Sequence, residues 1–382
     1  MTLPQIKEII NILKFAKKSF TKGGFRHVQI YVNGLISLAR KSVKKIAEAS
    51  KINQQSLNYA ISKAKFEKEK LEKRYLKKLK YLFKKFPVYL IIDDTLVERN
   101  GKKVEEAQHH FDHNEKDYVK GHQFFTSLLY TPFLQMPLFP NLYSSNTDSK
   151  IEMAKNLIEK LSDSKIKIDT ILFDSWYSDE KLIKKSISKK IRVIGAVKSN
   201  RKIMPPWKQR WISLSFISDR IRSQKLIKHE IKGRTYEVWS TKARLNKFSQ
   251  KMKLIISQEI DKENNIKGTI NLISSDLEDQ ADEIIRTYKL RWKIETFHRD
   301  IKQNLSFAKV FFRRREGIIR HSILATIAYA VLALFMYRVG KQKTIGECCE
   351  YLRDKSTTRA VHNLVVINNK QTRLSKFEEV FL

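Results

Sequence analysis

Val88-Tyr89-Leu90-Ile91-Ile92 is a continuous apolar run of strand length, and it ends in Asp93-Asp94-Thr95. Such a run reads as a strand buried on both faces that delivers carboxylates at its end. A second run of the same kind, Ile168-Asp169-Thr170-Ile171-Leu172-Phe173, ends in Asp174-Ser175. Between them the spacing predicts strands at 124–130 and near 137–143, then a helix over 149–161 with Ile151, Ala154, Ile158 and Leu161 on one side. A helix over 179–189 and a strand over 191–197 follow. Strands first, then alternating helix and strand, predict a mixed α/β sheet.

On the N-terminal side the texture is helical, with Leu71, Tyr75, Leu79 and Phe83 at successive i+4 steps, so residues 1–86 read as an all-helical domain. Within it, 41–64 has the layout of a helix-turn-helix: helices over 43–49 and 54–63 around a break at Lys51-Ile52-Asn53. A plain αα-hairpin has the same spacing. On the C-terminal side, 200–276 alternates or runs β-branched, with Lys232-Gly233-Arg234 as a turn, and reads as a β-strand insertion. Ser275-Asp276-Leu277-Glu278 then opens what reads as one long helix to about Leu305.

The chain has 382 residues, with 76 Lys+Arg against 40 Asp+Glu, a formal net charge of +36. Residues 1–86 carry 22 Lys+Arg and 5 Asp+Glu, net +17, so nearly half the surplus sits in less than a quarter of the chain. That asymmetry suits a polyanion, nucleic acid before a membrane surface. The longest uncharged apolar stretch, Ser322 to Tyr337, is shorter than the ~20 residues a bilayer crossing needs and reads as a buried helix. No N-terminal segment has the pattern of an export signal, so the expected location is the cytosol. The two cysteines, Cys348 and Cys349, are neighbours, which supports neither a disulfide framework nor a spaced zinc site. His109-His110-Phe111-Asp112-His113 is read as a polar loop rather than a zinc site, because adjacent side chains splay apart.

On an ideal helix of about 100° per residue, Tyr288, Arg291, Glu295 and Lys302 fall within an arc of about 60°, beside an apolar stripe of Leu290, Ile294, Phe297, Ile301 and Leu305. One face thus presents a carboxylate among phosphate-binding side chains. The four residues match the signature Tyr-x2-Arg-x3-Glu-x6-Lys without a gap, running from Tyr288 to Lys302.

Through this signature, and through Ile91-Ile92-Asp93-Asp94-Thr95 and Phe173-Asp174-Ser175-Trp176-Tyr177, residues 85–340 resemble a DDE transposase of the insertion-sequence group named for Y-R-E-K. The resemblance implies an RNase H-like catalytic core over 87–199 and 277–340, a β-strand insertion over 200–276, and a C-terminal region over 341–382. It implies catalytic and metal-holding acids at Asp94, Asp174 and Glu295, with Tyr288, Arg291 and Lys302 holding DNA phosphates. Strand alternation puts Asp93 and Asp94 on opposite faces, so only one can face the metals, and the expectation is Asp94, directly before Thr95. Three gathered carboxylates repel one another unless a divalent cation neutralises them; their oxygens suit Mg²⁺ or Mn²⁺, and two ions serve in-line displacement at phosphorus. The implied partners are the double-stranded DNA of terminal inverted repeats and target DNA, handled by a homodimer in a synaptic complex at the nucleoid. One departure stands out. Some relatives stack a flipped base on a Trp of the last insertion strand, whereas this strand reads Gly268-Thr269-Ile270-Asn271-Leu272; Trp207, Trp211 and Trp239 are the candidate substitutes. The alternatives are a non-enzymatic DNA-binding protein and a structure-specific nuclease on the same fold. The role of Gly121-His122 is not derivable at this level.

Overall fold

The computed structural model describes residues 11–99, 101, 103–112, 116–221, 226–248, 250–309, 312–339 and 344–354. Among the described residues, the 3₁₀ turn Lys14–Ser19 and the helices α1 (Lys22–Ser37), α2 (Val43–Ser50), α3 (Gln54–Ser62) and α4 (Lys68–Phe83) precede the first strand. The first three helices start where short polar side chains take up orphan amides: Thr21 accepts from Gly24, Ser42 from Lys45, and Asn53 from Gln55 and Ser56. Lys51 ends α2 in the left-handed region, at φ 52°, and turns the chain into α3. The expected helix–break–helix is therefore present. Leu57, Ala60 and Ile61 of α3 are buried, while Gln54, Gln55, Ser56, Asn58 and Tyr59 face outward.

The strands are β1 (Tyr89–Glu98), β2 (Gln108–Asp112), β3 (Asp117–Tyr130), β4 (Gln135–Pro137), β5 (Asn141–Tyr143), β6 (Thr170–Phe173), β7 (Arg192–Ala196), β8 (Lys202–Met204), β9 (Ile212–Ser213), β10 (Ile227–Ile231), β11 (Arg234–Leu245), β12 (Lys251–Ile260) and β13 (Ile266–Ser274). They join one sheet in the order β2-β3-β1-β6-β7-β13-β12-β11-β8-β9. β1, β6 and β7 are parallel, β3 is antiparallel to β1, and β13 is antiparallel to β7. The β-rich stretch is thus no separate module: its last strand extends the central sheet. Helices α5 (Lys150–Asp163) and α6 (Glu180–Ser188) link the parallel strands, and the short α7 (Leu214–Ser218) lies in the β-rich stretch. This is a mixed α/β sheet of RNase H-like type, with helices leading into it.

Three expectations are corrected. β1 does not stop before the acids but runs on to Glu98, because its antiparallel pairing with β3 continues through Asp93↔Thr126 and Asp94↔Phe125. His109 and His110 lie on β2 rather than in a loop; His113 lies outside the described residues. The long helix is three pieces: α8 (Ala281–Tyr288), a 3₁₀ turn over Lys289–Arg291, and α9 (Trp292–Asn304). The segment 275–280 precedes α8, with Asp276 accepting from the amide of Glu278.

Next comes α10 (Arg315–Val339), in which every side chain from His321 to Phe335 is buried. It is long and apolar enough to cross a membrane, yet most of it is buried inside the protein, against α1, α3 and β4. Of the C-terminal region, α11 (Ile345–Asp354) packs against α9 and α10, and residues 355–382 lie outside the described set.

Helices α1–α4 do not form a detached domain. Tyr31 Oη lies 2.8 Å from His321 Nδ1 on α10, and Arg320 donates to the Ala64 carbonyl at 2.7 Å. The Tyr75 ring stacks on Phe139 at 5.1 Å, and its hydroxyl donates to the Pro137 carbonyl at 2.8 Å. One hydrophobic core runs through both parts.

His321 is buried in that core. With Tyr31 Oη donating to Nδ1, its Nε2–H donates to the Ser306 carbonyl at 2.9 Å, which describes a neutral ring. Burial, partly offset by the Ser306 bond, pushes its pKa down from 6.5 to about 4. The unfolded chain therefore binds the extra proton first. The contribution to stability is fully present above about pH 6.5 and is lost as pH falls towards 4, on the order of 3 kcal/mol. Urea unfolding at pH 7 and pH 4.5 should show this loss in the wild type and a smaller one in His321→Leu.

Gly121-His122 now has a physical account. A Cβ on Gly121 would sit 2.5 Å from the Val97 carbonyl, so β3 can approach β1 only with glycine there. His122 is buried; its Nε2–H donates to the Glu105 carbonyl at 2.8 Å and its Nδ1 faces Arg99 Nε at 3.3 Å. Arg99 also donates to the Ala308 carbonyl at 2.9 Å, tying β1 and β3 to the segment between α9 and α10. The pair is structural.

Candidate active site

The parallel register of β1 and β6 brings the acids together. Tyr89, Leu90 and Ile91 pair with Thr170, Ile171 and Leu172, so two residues beyond each strand's last pair lie Asp93 and Asp174, on one face of the sheet. Asp174 caps the 3₁₀ turn Ser175–Tyr177, its Oδ1 accepting from the amides of Trp176 at 3.0 Å and Tyr177 at 3.4 Å. Burial raises its pKa, and those two amides oppose the rise.

From α9, Glu295 closes the group. Arg291, in the 3₁₀ turn, places NH1 3.0 Å from Asp93 Oδ2 and 3.2 Å from Glu295 Oε1, so one guanidinium bridges the strand acid and the helix acid. Burial pushes the Asp93 carboxyl up, Arg291 pulls it down, and Asp174 and Glu295 push it up again. Asp93, Glu295 and His298 each offer a ligand atom within 4.8 Å of the others. His298 is a site residue that spacing left unremarked. Its Nε2 lies 2.7 Å from Thr126 Oγ1, which donates to the Asp93 carbonyl at 3.1 Å. Burial, followed by Lys302 and Arg291, lowers the His298 pKa to about 3, so the ring is neutral.

Asp94 points the other way, as alternation requires. Its carboxylate pairs with Lys150 at 3.1 Å and accepts from Tyr177 Oη at 3.2 Å and from the Gln123 amide. Lys150 is itself buried, its ammonium 4.2 Å above the Trp176 ring. Asp93 thus faces Glu295 and Arg291, and Asp94 is held by a cation of the protein. Both still act electrostatically on Asp174.

Residues 84–331, about two thirds of the chain, match the family model of the transposase DDE domain. The chain belongs to the DDE transposases. Residues 17–145 also match the model of the DDE superfamily endonuclease, which takes in helices α1–α4 and the first acid strand. No curated protein matches the chain. Membership brings nuclease-type chemistry and implies the use of a divalent metal.

The other residues of the Tyr-x2-Arg-x3-Glu-x6-Lys pattern of this DDE transposase flank Glu295 on the same helical stretch. Lys302 donates to the Leu96 carbonyl of β1 at 3.0 Å. Tyr288 lines a cleft of about 820 Å³ with Arg291, Trp292, Lys289, Tyr236, Arg234 and Lys232. Burial, ahead of the nearby charges, raises the Tyr288 hydroxyl to about 12, so it stays protonated. Trp292 is 67% exposed and stands in this cleft, next to the bridging arginine. Of the tryptophans named from sequence, Trp207 and Trp239 pack edge to face at 5.6 Å, and Trp211 is exposed without lining the cleft. The sequence reading did not single out Trp292, although at about 100° per residue it falls beside Tyr288 and away from the apolar stripe.

Proposed function

We propose that this DDE transposase binds the terminal inverted repeats of its element, cleaves DNA by metal-dependent phosphoryl transfer and joins the 3′-hydroxyl ends to target DNA, in a cut-and-paste reaction. The observation that carries the reading is the convergence of Asp93, Asp174 and Glu295 with Arg291 between the first and last. Asp93 replaces Asp94 in the proposed acid set because it is the neighbour that shares a face with Asp174 and Glu295. The donor set suits a divalent cation: the Asp93 and Glu295 carboxylates and the His298 ring lie within 4.8 Å of one another, Asp174 stands close enough to act on Asp93, and a cation would reverse the rise of the Asp93 and Asp174 pKa values. Bound there, Mg²⁺ or Mn²⁺, as two ions, would activate a water or 3′-hydroxyl and stabilise the leaving 3′-oxygen.

The protein's own groups do the rest. One nitrogen of the Arg291 fork is held by both Asp93 and Glu295 while the acids are uncompensated, and the guanidinium is placed to take a phosphate once they are neutralised. Tyr288 adds a neutral donor, and Lys302 a point charge one face along. The outward polar face of α3, in a net +17 region, suits recognition of end DNA by a homodimer in a synaptic complex at the nucleoid. That face favours a transposase over a nuclease that reads DNA shape alone, and a DNA-binding protein without catalysis has no use for the three acids.

The test is cleavage of an end-bearing duplex with Mg²⁺, with Mn²⁺ and in excess chelator, alongside melting of the protein in the same buffers. Glu295→Gln and Asp174→Asn should each remove cleavage and leave DNA binding. A saturating cation should raise the melting temperature of the wild type, a hundredfold excess over Kd being worth about 2.7 kcal/mol, and not that of Glu295→Gln. Cleavage persisting in chelator would overturn the reading.

A further inference from the structure

At the opposite end of the parallel strands, where β1 and β6 begin rather than where their acids stand, the chain closes around a cleft of about 570 Å³. Lys80 from the last turn of α4, Lys84 and Lys85 from the link to β1, and Lys165 and Lys167 from the link between α5 and β6 all line it. Among the described residues none of the five takes part in an ion pair, although lysines close by in the chain do: Lys160 with Glu72 at 2.8 Å and Lys189 with Glu159 at 2.6 Å. The cleft's one carboxylate, Asp169, is turned to the backbone, its Oδ2 accepting from the Val88 amide at 2.7 Å. Lys80 and Lys84 also complement the carbonyl end of α4. Lys165, at φ 56°, follows the carbonyl end of α5 in the same way, and Lys167 stands between it and β6.

Five lysines around one concave site repel one another and focus a positive potential on it. Phosphates are the ligands that relieve this. The geometry points to a second nucleic-acid contact: the lysine cleft holds backbone phosphates of duplex DNA remote from the bond cut at the acids. From Pro87 to Asp93 along β1 is about 20 Å, so at least about six base pairs of duplex separate the two contacts. This rests on the proposed function, because it assumes that DNA is the substrate at the acids.

The experiment compares the full-length wild type, the double variant Lys84→Gln with Lys167→Gln, and a charge-matched control, Lys262→Gln with Lys267→Gln, in the β12–β13 turn and at the start of β13. Binding to a 40-base-pair duplex is titrated over a series of salt concentrations. The cleft variant should flatten the slope of log K against log salt by about 2, one unit per lost phosphate contact, and the control should not. Its melting temperature should not fall, since both lysines are exposed, and turnover at saturating DNA should stay at the wild-type value. Equal slopes for the cleft variant and the wild type would overturn the proposal. So would equal slopes with inorganic tripolyphosphate raising the melting temperature of the wild type alone, which would make the cleft a site for a small free polyanion. A wild type that binds duplex but never cleaves it would count against the active-site reading and leave the slope comparison to decide the cleft.

Discussion

Asp93→Asn should abolish DNA cleavage, by at least about a thousandfold or roughly 4 kcal/mol of transition-state stabilisation, whereas Asp94→Asn should keep a substantial part of it. The two side chains are neighbours on one strand and leave it in opposite directions. Asp93 shares its face with Asp174 and Glu295, and its one charged partner, Arg291, is shared with Glu295, so an amide there removes a cation-holding oxygen while Arg291 keeps Glu295. Asp94 neutralises Lys150, whose side chain is only 8% exposed. Its amide variant leaves that ammonium in a buried place without its counter-charge, which costs stability on the order of 3 kcal/mol. Asp93→Asn should therefore be folded and inactive, Asp94→Asn less stable and active. Strand cleavage and urea unfolding of the two purified variants separate these outcomes. An inactive but fully stable Asp94→Asn beside an active Asp93→Asn would show that the metals sit on the other face.

Removing residues 1–86 should prevent stable folding, rather than yield a catalytic core that has lost only its DNA affinity. α1 alone buries Phe25, Val28, Tyr31, Val32, Leu35 and Ile36. At about 1.5 to 3 kcal/mol for each large side chain, this is on the order of 10 kcal/mol, comparable to the whole stability of an ordinary domain. The face of α10 against which α1 packs would be left in water, with His321 deprived of Tyr31 and Arg320 of the Ala64 carbonyl. A chain starting at Pro87 should lack a cooperative thermal transition and associate in solution. A monomeric truncated chain that melts cooperatively near the wild-type temperature would refute the shared core. DNA recognition by α3 is better probed with single changes on its outward face, such as Gln55→Ala or Asn58→Ala, which leave Leu57 and Ile61 in place.

Much of the fold was legible because local chemistry and tertiary packing agree. The apolar runs before Asp93 and Asp174 are strands because buried parallel strands need apolar side chains on both faces, and helices α2, α3, α5 and α6 begin at Ser42, Asn53, Ser149 and Asp179, residues that cap. The core helix after Arg320 was legible from its uniform apolarity. Where the reading failed, the deciding partner was distant in sequence. β1 runs past its acids because β3, some thirty residues later, goes on pairing with it. The helix carrying Glu295 is interrupted at Lys289–Arg291, in the turn from which Arg291 reaches both Asp93 and Glu295.

The sequence by itself determined that this protein has two acid-bearing strands and an acid-bearing helix, and that Asp93 and Asp94 leave their strand on opposite faces, since side chains alternate along any strand; the family resemblance added that three acids gather. Which of the two neighbours faces Arg291 and Glu295 only the tertiary structure decided. That choice depends on the register of β1 against β6 and on which face of the sheet α9 covers, and neither is encoded in the spacing of residues along one strand. It also depends on Lys150, more than fifty residues away, which pairs with Asp94 and leaves Asp93 to face Arg291 and Glu295.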